Sequence, residues 1–316
     1  MADKPTRDGF GEGLLELGRT NPSVVALSGD LEDSARAIWF KKEFPDRFFS
    51  VGIAEQDMIG TAAGLALMGK IPFACSFSQF VTGKALEQMR LAVCYQRLNV
   101  KIVGSHGGLS VGADGATAES LEEFAVLRSL PNMAVVVPCD ALEAKRAALA
   151  AAAYPGPVFL RLGRSPTPII TKPGDPFTIG RANVLRDGAD VSLVACGIMV
   201  AHALAAAELL AKDGISARVI NLHTIKPIDR ATLLAAARDT GAIVTAEEHS
   251  VVGGLGSAVA EVLVQEHPVP MRFVGVQDRF GTSGDPAELL KAFGLMPEDI
   301  VKAARDLLRA KQSTLG

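Results

Sequence analysis

The chain is poor in the features that mark several common protein classes. It has only four cysteines in 316 residues, Cys75, Cys94, Cys139 and Cys196, each in an apolar setting. None forms a CxxC pair, which argues against structural zinc and leaves four buried free thiols as the expected state. No run of lysine or arginine exceeds a pair, and the net charge is −3. That balance argues against nucleic acid as the main partner. No stretch reaches the ~18 uninterrupted apolar residues that a membrane span needs. The opening residues "MADKPTRDGF" hold no apolar signal region. Together these absences lead us to expect a cytoplasmic protein.

What is present is apolar and periodic. Hydrophobic residues make up 48% of the chain and charged residues 21%, enough for large packed cores, and the length suits two domains. Short apolar runs read as buried strands: "VVALSG" (24–29), "FFSVGI" (48–53), "IPFACSF" (71–77), "VKIVG" (100–104), "MAVVVP" (133–138) and "PVFLRL" (157–162). Helix-length segments separate them, the pattern of an α/β domain with a parallel sheet. Residues 163–180, "GRSPTPIITKPGDPFTIG", break this rhythm with four prolines and three glycines. A second α/β unit follows, with strands expected at 191–196, 216–222, 242–248 and 271–277. The domains are therefore expected at 1–165 and 181–316, joined by a linker at 166–180.

Glu55 draws attention because "FFSVGIAEQDMIGTAAGLALMGKIPFACSF" (48–77) is otherwise apolar or small around "EQD". A lone buried carboxylate is costly unless paired. It follows a strand and opens a helix, where it could simply cap the helix or interact with its dipole. Carboxyl ends of parallel strands are also where α/β sheets bind ligands. Phe77 and Phe80 end the next strand, and either could be core. The loop "VGSHGGLSVGADGATAES" (103–120) holds five glycines, His106 and Asp114, a composition that suits close approach to a ligand. His106 alone could be structural, and Arg164 alone could be a surface residue.

Taken in order, "VGIAEQDMIGTAAGLALMGKIPF", "FSQF", "SHGGLSVGADG", "LRSLPNMAVVVPCD", "HTIKPID" and "EEHSVVGGLGSAVAE" resemble the C-terminal half of a transketolase over nearly the whole chain. The resemblance implies a thiamine-diphosphate pyrimidine-binding domain followed by a transketolase C-terminal domain, as in the C-terminal subunit of a split enzyme. Glu55 then matches the glutamate that bonds N1′ of the cofactor's aminopyrimidine and shares a proton with it. Phe77 matches the aromatic that stacks on the pyrimidine, with Phe80 beside it. Asp30 matches an acid near the thiazolium. Arg7, Ser34, His106 and Arg164 match the set that holds the sugar phosphate, and Asp114 matches a contact to a sugar hydroxyl. Glu55 and His106 are the catalytic candidates. The activity implied is transfer of a two-carbon ketol unit between phosphorylated sugars.

Three features qualify this reading. Ala118 stands where the family carries His or Gln, which puts the usual ketose donor in doubt. The family's GDG motif with its following Asn, which holds the diphosphate through Mg²⁺ or Ca²⁺, is missing, and this chain is expected to contribute no metal ligand. An N-terminal subunit with that motif should supply the other half of each site, in an α2β2 assembly. "VVGGLGSAVAE" (251–261) has Val259 where a dinucleotide fingerprint needs its third glycine, so nicotinamide binding is not expected, and His223 reads as structural. The alternatives are a 1-deoxyxylulose-5-phosphate synthase-like activity, which "GIAEQ" also resembles, a 2-oxoacid dehydrogenase E1 β-subunit, and a non-catalytic scaffold subunit of the same fold.

Overall fold

The computed structural model describes residues 2–315, with side chains as far as Lys311. Two sheets organise it. The first comprises β1 (Val24–Ser28), β2 (Phe48–Ser50), β3 (Ile71–Phe77), β4 (Lys101–Ser105), β5 (Ala134–Val136) and β6 (Val158–Arg161). The second is built from β7 (Asn183–Arg186), β8 (Val191–Ala195), β9 (Ala217–Asn221), β11 (Ile243–Ser250) and β12 (Met271–Val276). A short strand, β10 (Thr224–Lys226), leaves the second half of the chain and pairs antiparallel with β5, extending the first sheet to the order β10-β5-β6-β4-β3-β1-β2. The second sheet runs β12-β11-β8-β9-β7, with β7 antiparallel to β9 and the other pairs parallel.

The apolar runs form strands because parallel sheets are covered on both faces. β1, β4, β6 and β8 are buried at every position. The ten runs expected as strands all contain one. β7 and β10 were not anticipated, because "NVLR" is half-exposed and "TIK" is too short to show periodicity. Residues 166–180 hold no helix or strand beyond a bridge between Thr167 and Lys4. No described helix is long and apolar enough to cross a membrane. All four cysteines are buried free thiols.

The Thr6–Thr20 helix, which begins beside the candidate residue Arg7, lies against the Ala141–Ala153 helix. The approach is close enough that a methyl at Gly9 would collide with the carbonyl oxygen of Ala141. The Ala-rich face is thus a requirement of packing. Asp140 caps the second of these helices at the Glu143 amide (2.8 Å) and accepts the amides of Ile170 (2.8 Å) and Thr171 (2.6 Å). One carboxylate therefore fixes both the helix end and the connecting segment.

The halves are joined by buried charge. Arg161, at the end of β6, donates from Nε to Glu123 Oε1 (3.1 Å), from Nη1 to Glu248 Oε2 (3.4 Å) and from Nη2 to the Glu248 carbonyl (2.9 Å). Glu123 belongs to the first half and Glu248 to β11 of the second. Burial pushes both carboxyls up, and the Arg161 cation opposes that shift. We expect Arg161→Leu to destabilise the fold by roughly 3–5 kcal/mol, because breaking a buried pair leaves an uncompensated charge. Denaturant unfolding of wild type and variant measures this, and a loss under about 1 kcal/mol would show that the network is dispensable.

Candidate functional site

Strands β6, β4, β3, β1 and β2 are neighbours and parallel. Their carboxyl ends therefore release the chain on one edge: Arg164 after β6, His106 after β4, Phe77 closing β3, Asp30 after β1 and Glu55 after β2. Residues distant in sequence become adjacent because this edge is where α/β sheets present their loops.

Glu55 opens the Glu55–Leu67 helix and is 2% exposed. Its carboxylate pairs with side chains and not with the helix's own amides. Oε1 accepts from Ser76 Oγ (3.3 Å) and Oε2 pairs with Lys84 Nζ at 3.1 Å. The Lys84 ammonium also lies 4.5 Å from the centroid of Phe80. A cation thus sits against a buried acid and an aromatic face at once. A flat ring with a nitrogen hydrogen-bonded to Glu55 could take the same place, with Lys84, whose side chain is 48% exposed, swinging out.

Phe77 is buried. The His106 ring is stacked on it at 3.9 Å and 18°, and Phe80 lies at 5.3 Å and 26°. The expectation gave Phe77 the stacking role. Phe77 is buried with Val111 and Ala118, and the half-buried Phe80 packs against the same cluster. Ala118 is itself buried and contributes no hydrogen-bonding side chain of its own.

The residues expected around a phosphate converge in part. Arg7 Nη1 donates to the carbonyl of Ser34 (3.1 Å), while its buried Nε has no partner. Arg164 Nη1 donates to the Val111 carbonyl (2.8 Å) and approaches Asp114 Oδ1 (3.5 Å). His106 holds a left-handed φ of 58° and pairs through Nδ1 with Ser105 Oγ at 2.8 Å. Burial, then the charges of Arg7, Arg164 and Arg36, push its pKa down to about 3, so the ring is neutral at physiological pH. The same proximity lowers Arg7, through burial and then Arg36, with Arg164 contributing. Three guanidiniums therefore share one region around a neutral imidazole, an arrangement suited to an oxyanion such as phosphate. Asp30 reaches the edge with φ 64° but is exposed and makes no hydrogen bond to the other candidates among the described residues.

Arg36, Lys84 and Ser76 escaped the sequence reading. Lys84 was within reach of it, four residues after Phe80 on one helix face. Nothing in "EDSARAIW" marks Arg36, which is held by Asp8 (2.7 Å) and the Asp33 carbonyl (3.0 Å).

Other polar groups read as structural. Glu247 accepts the amides of Leu255 (2.6 Å) and Gly256 (2.9 Å), so the helix that starts at Leu255, inside "GGLG", is already capped by the chain's own carboxylate. His223 is buried against Phe177 at 4.2 Å and bonds Thr224 Oγ1 (2.9 Å). Among the described residues no group of three or more His, Cys, Asp or Glu could hold a metal ion.

Comparison with known proteins gives this geometry a family. Residues 3–169 match the family "Transketolase, pyrimidine binding domain" and residues 180–300 match "Transketolase, C-terminal domain". The 6-deoxy-6-sulfo-D-fructose transketolase subunit SqwH of Clostridium sp. (strain MSTE9) is 46% identical over 305 residues, covering 96% of this chain and 95% of that protein. An apulose-4-phosphate transketolase subunit of Phocaeicola vulgatus is 41% identical over 304 residues, 96% and 97% of the two chains. A solved structure described as a split gene transketolase, inactive beta4 tetramer, superposes with TM-score 0.90 and 48% identity over 97% and 99% of the chains. Human transketolase is 39% identical over 307 residues, but the match spans 49% of its length.

The residue after Ala118 generates a test. Glu119 is buried, and neither carboxylate oxygen has a hydrogen-bond partner of good geometry. Burial, Glu248 and Asp114 push its pKa up from 4.5 to about 7. A raised carboxyl favours folding while protonated, and that contribution is lost as pH rises through the folded value. The stability of Glu119→Gln relative to wild type should therefore grow between about pH 4.5 and 7 and level off above. Unfolding of both proteins across this range reads the difference, and a pH-independent gap would contradict the shift.

Proposed function

The chain belongs to the transketolase family, and on that premise we propose that it is the C-terminal subunit of a split, thiamine-diphosphate-dependent transketolase that moves a two-carbon ketol unit between sugar phosphates. The observation that carries this reading is Glu55, buried at a helix start and paired to Lys84, whose ammonium rests over Phe80. These residues fit an aminopyrimidine. Glu55 would hold a proton at the ring nitrogen, and Phe77 would stack on the pyrimidine with Phe80 beside it. Thiamine diphosphate, when bound, supplies the carbanion chemistry for attack on a ketose carbonyl.

The chain's other residues act on the substrate. Arg7, Arg164 and Ser34 would take the sugar phosphate, joined by Arg36, whose charge reaches the same region. His106, kept neutral, can exchange a proton with a sugar hydroxyl without adding charge beside the arginines. Asp114, 3.5 Å from Arg164, would orient that arginine and meet a hydroxyl. Asp30 is kept as the acid near the thiazolium, on its position at the strand edge alone. A partner resembling the N-terminal half of the long transketolases would hold the diphosphate and its Mg²⁺ or Ca²⁺ in an α2β2 assembly. Two relatives of similar identity carry different sugars in their names, so the donor does not follow from kinship. Ala118 favours a donor that needs no hydrogen bond from that wall.

The defining experiment mixes this chain with the transketolase N-terminal-half chain encoded in the same genome, thiamine diphosphate and Mg²⁺, and assays a panel of ketose phosphates. Turnover is expected only from the mixture. Glu55→Gln should lower it about 10²–10⁴-fold, the usual scale of a lost acid–base group. Robust turnover by the chain alone, or an unchanged Glu55→Gln enzyme, would falsify the assignment. Arg164→Ala should raise KM for a phosphorylated sugar roughly 10–100-fold, matching loss of a charged hydrogen bond of about 1.5–3 kcal/mol. An unphosphorylated analogue should be almost unaffected. Equal losses on both substrates would place Arg164 outside the phosphate site.

A further inference from the structure

A cavity of about 370 Å³ lies between the two halves of the chain. Its walls include Gln79, Glu119 and Glu122 from the first half and Asp278, Arg279 and Phe280 from the second. Clefts of this size between domains are common places for small ligands. The walls are rich in acceptors that nothing satisfies. Glu119 is 3% exposed, and neither of its carboxylate oxygens has a hydrogen-bond partner of good geometry. The Thr282 amide opposes the effect of its burial only in part. The Oε1 atom of Gln79 is also buried without a partner. Buried polar atoms are normally hydrogen-bonded, so such exceptions call for an explanation.

The chain makes room for the Glu119 carboxylate without pairing it. A Cβ at Gly281 would stand 1.7 Å from Glu119 Oε2, so a side chain there would drive the carboxylate out. The cations of this region are committed elsewhere. Arg279 donates from Nη2 to the Ala292 carbonyl (3.0 Å) and lies 3.8 Å from the centroid of Phe293. Arg161 is taken by Glu123 and Glu248. Glu248 and Asp114 add negative charge around Glu119. Phe280, on the same wall, is 84% exposed. Asp278 beside it holds a left-handed φ of 39°, a strained conformation for a residue with a Cβ and one that clusters at ligand sites.

We propose that this cleft binds a small organic ammonium ion, with its charge against Glu119 and its apolar body on Phe280. An ammonium group carries three donors and no acceptor, which is what a wall of unpaired acceptors lacks. It also gives a buried carboxylate the opposite charge that this chain withholds. The face of an exposed aromatic ring attracts the same cation. An anion would meet Glu119, Glu122 and Asp278 and be repelled. A neutral polyol would bring as many acceptors as donors and leave the carboxylate uncompensated. Glu119 follows Asp114 and Ala118 in one loop, so a ligand that grips it also steadies the segment carrying those two residues. Binding here needs neither thiamine diphosphate nor a partner chain, so it stands apart from the function proposed above.

The test is a calorimetric titration of the full chain with phenethylammonium chloride at about pH 8, above the Glu119 value of about 7. The alcohol 2-phenylethanol and the anion 3-phenylpropionate serve as isosteric controls. The ammonium should bind saturably, the alcohol roughly 10-fold or more weaker, and the carboxylate not at all, since only the first offers a charged donor. Glu119→Gln keeps the shape and should weaken the ammonium roughly 10–100-fold, the scale of a lost charged hydrogen bond. Phe280→Ala, at an exposed position, should weaken it roughly 2–5-fold, the scale of an exposed cation–π contact. Thermal unfolding checks that both variants are folded, and if Glu119→Gln is not, the charge series and Phe280→Ala still decide. Absence of saturable binding, equal affinity for the alcohol, or unchanged affinity in Glu119→Gln would overturn the proposal. Loss of binding in Glu55→Gln rather than Glu119→Gln would place the ammonium at the other buried carboxylate and overturn it as well.

Discussion

A buried guanidinium holds the molecule in its working shape. Arg161 ends a central strand, carries its charge into a site closed to water, and meets carboxylates from both halves of the chain. Glu248 then reaches one residue further and accepts the amide of Ser110 at 2.5 Å. Ser110 lies in the loop that carries His106 and Asp114. The loop that carries these two candidate residues is therefore tied to the second domain, and the docking of the domains is a condition of that loop's geometry. A buried pair of this kind is weak evidence for net stability and stronger evidence for positional constraint.

Two electrostatic regions meet on the strand edge. One is acidic and paired, with Glu55 between Ser76 and Lys84. The other is basic, with Arg7, Arg36 and Arg164 around a neutral His106. The rings of His106, Phe77 and Phe80 run between them at 3.9 and 5.3 Å. This stack lies between a buried, paired carboxylate and a group of guanidiniums suited to an oxyanion.

Much of the fold was legible in local pattern. β1, β3 and β8 are continuous apolar runs because both faces of a parallel sheet are covered, and such runs stand out against Ala-rich helices. Glu55 stood out because a carboxylate among apolar residues has to be accounted for. β10 did not, since three residues beside "HTIKP" become a strand only by pairing with β5, far away in sequence. Lys84 and Arg36 were equally hidden: a lysine on an exposed helix end and an arginine in a loop acquire meaning only from what stands opposite them.

The sequence by itself determined the two α/β units, the segment between them, the family resemblance and most of the candidate residues, because these are properties of short-range periodicity and residue type. Tertiary structure decided the rest. It stacked His106 on Phe77, turned Glu55 toward Lys84 rather than its own helix amides, gathered three arginines about His106, and left the apolar face of the Glu55 helix uncovered. Each of these depends on the order of strands in a sheet and on what packs across it, quantities that no local spacing of residues encodes.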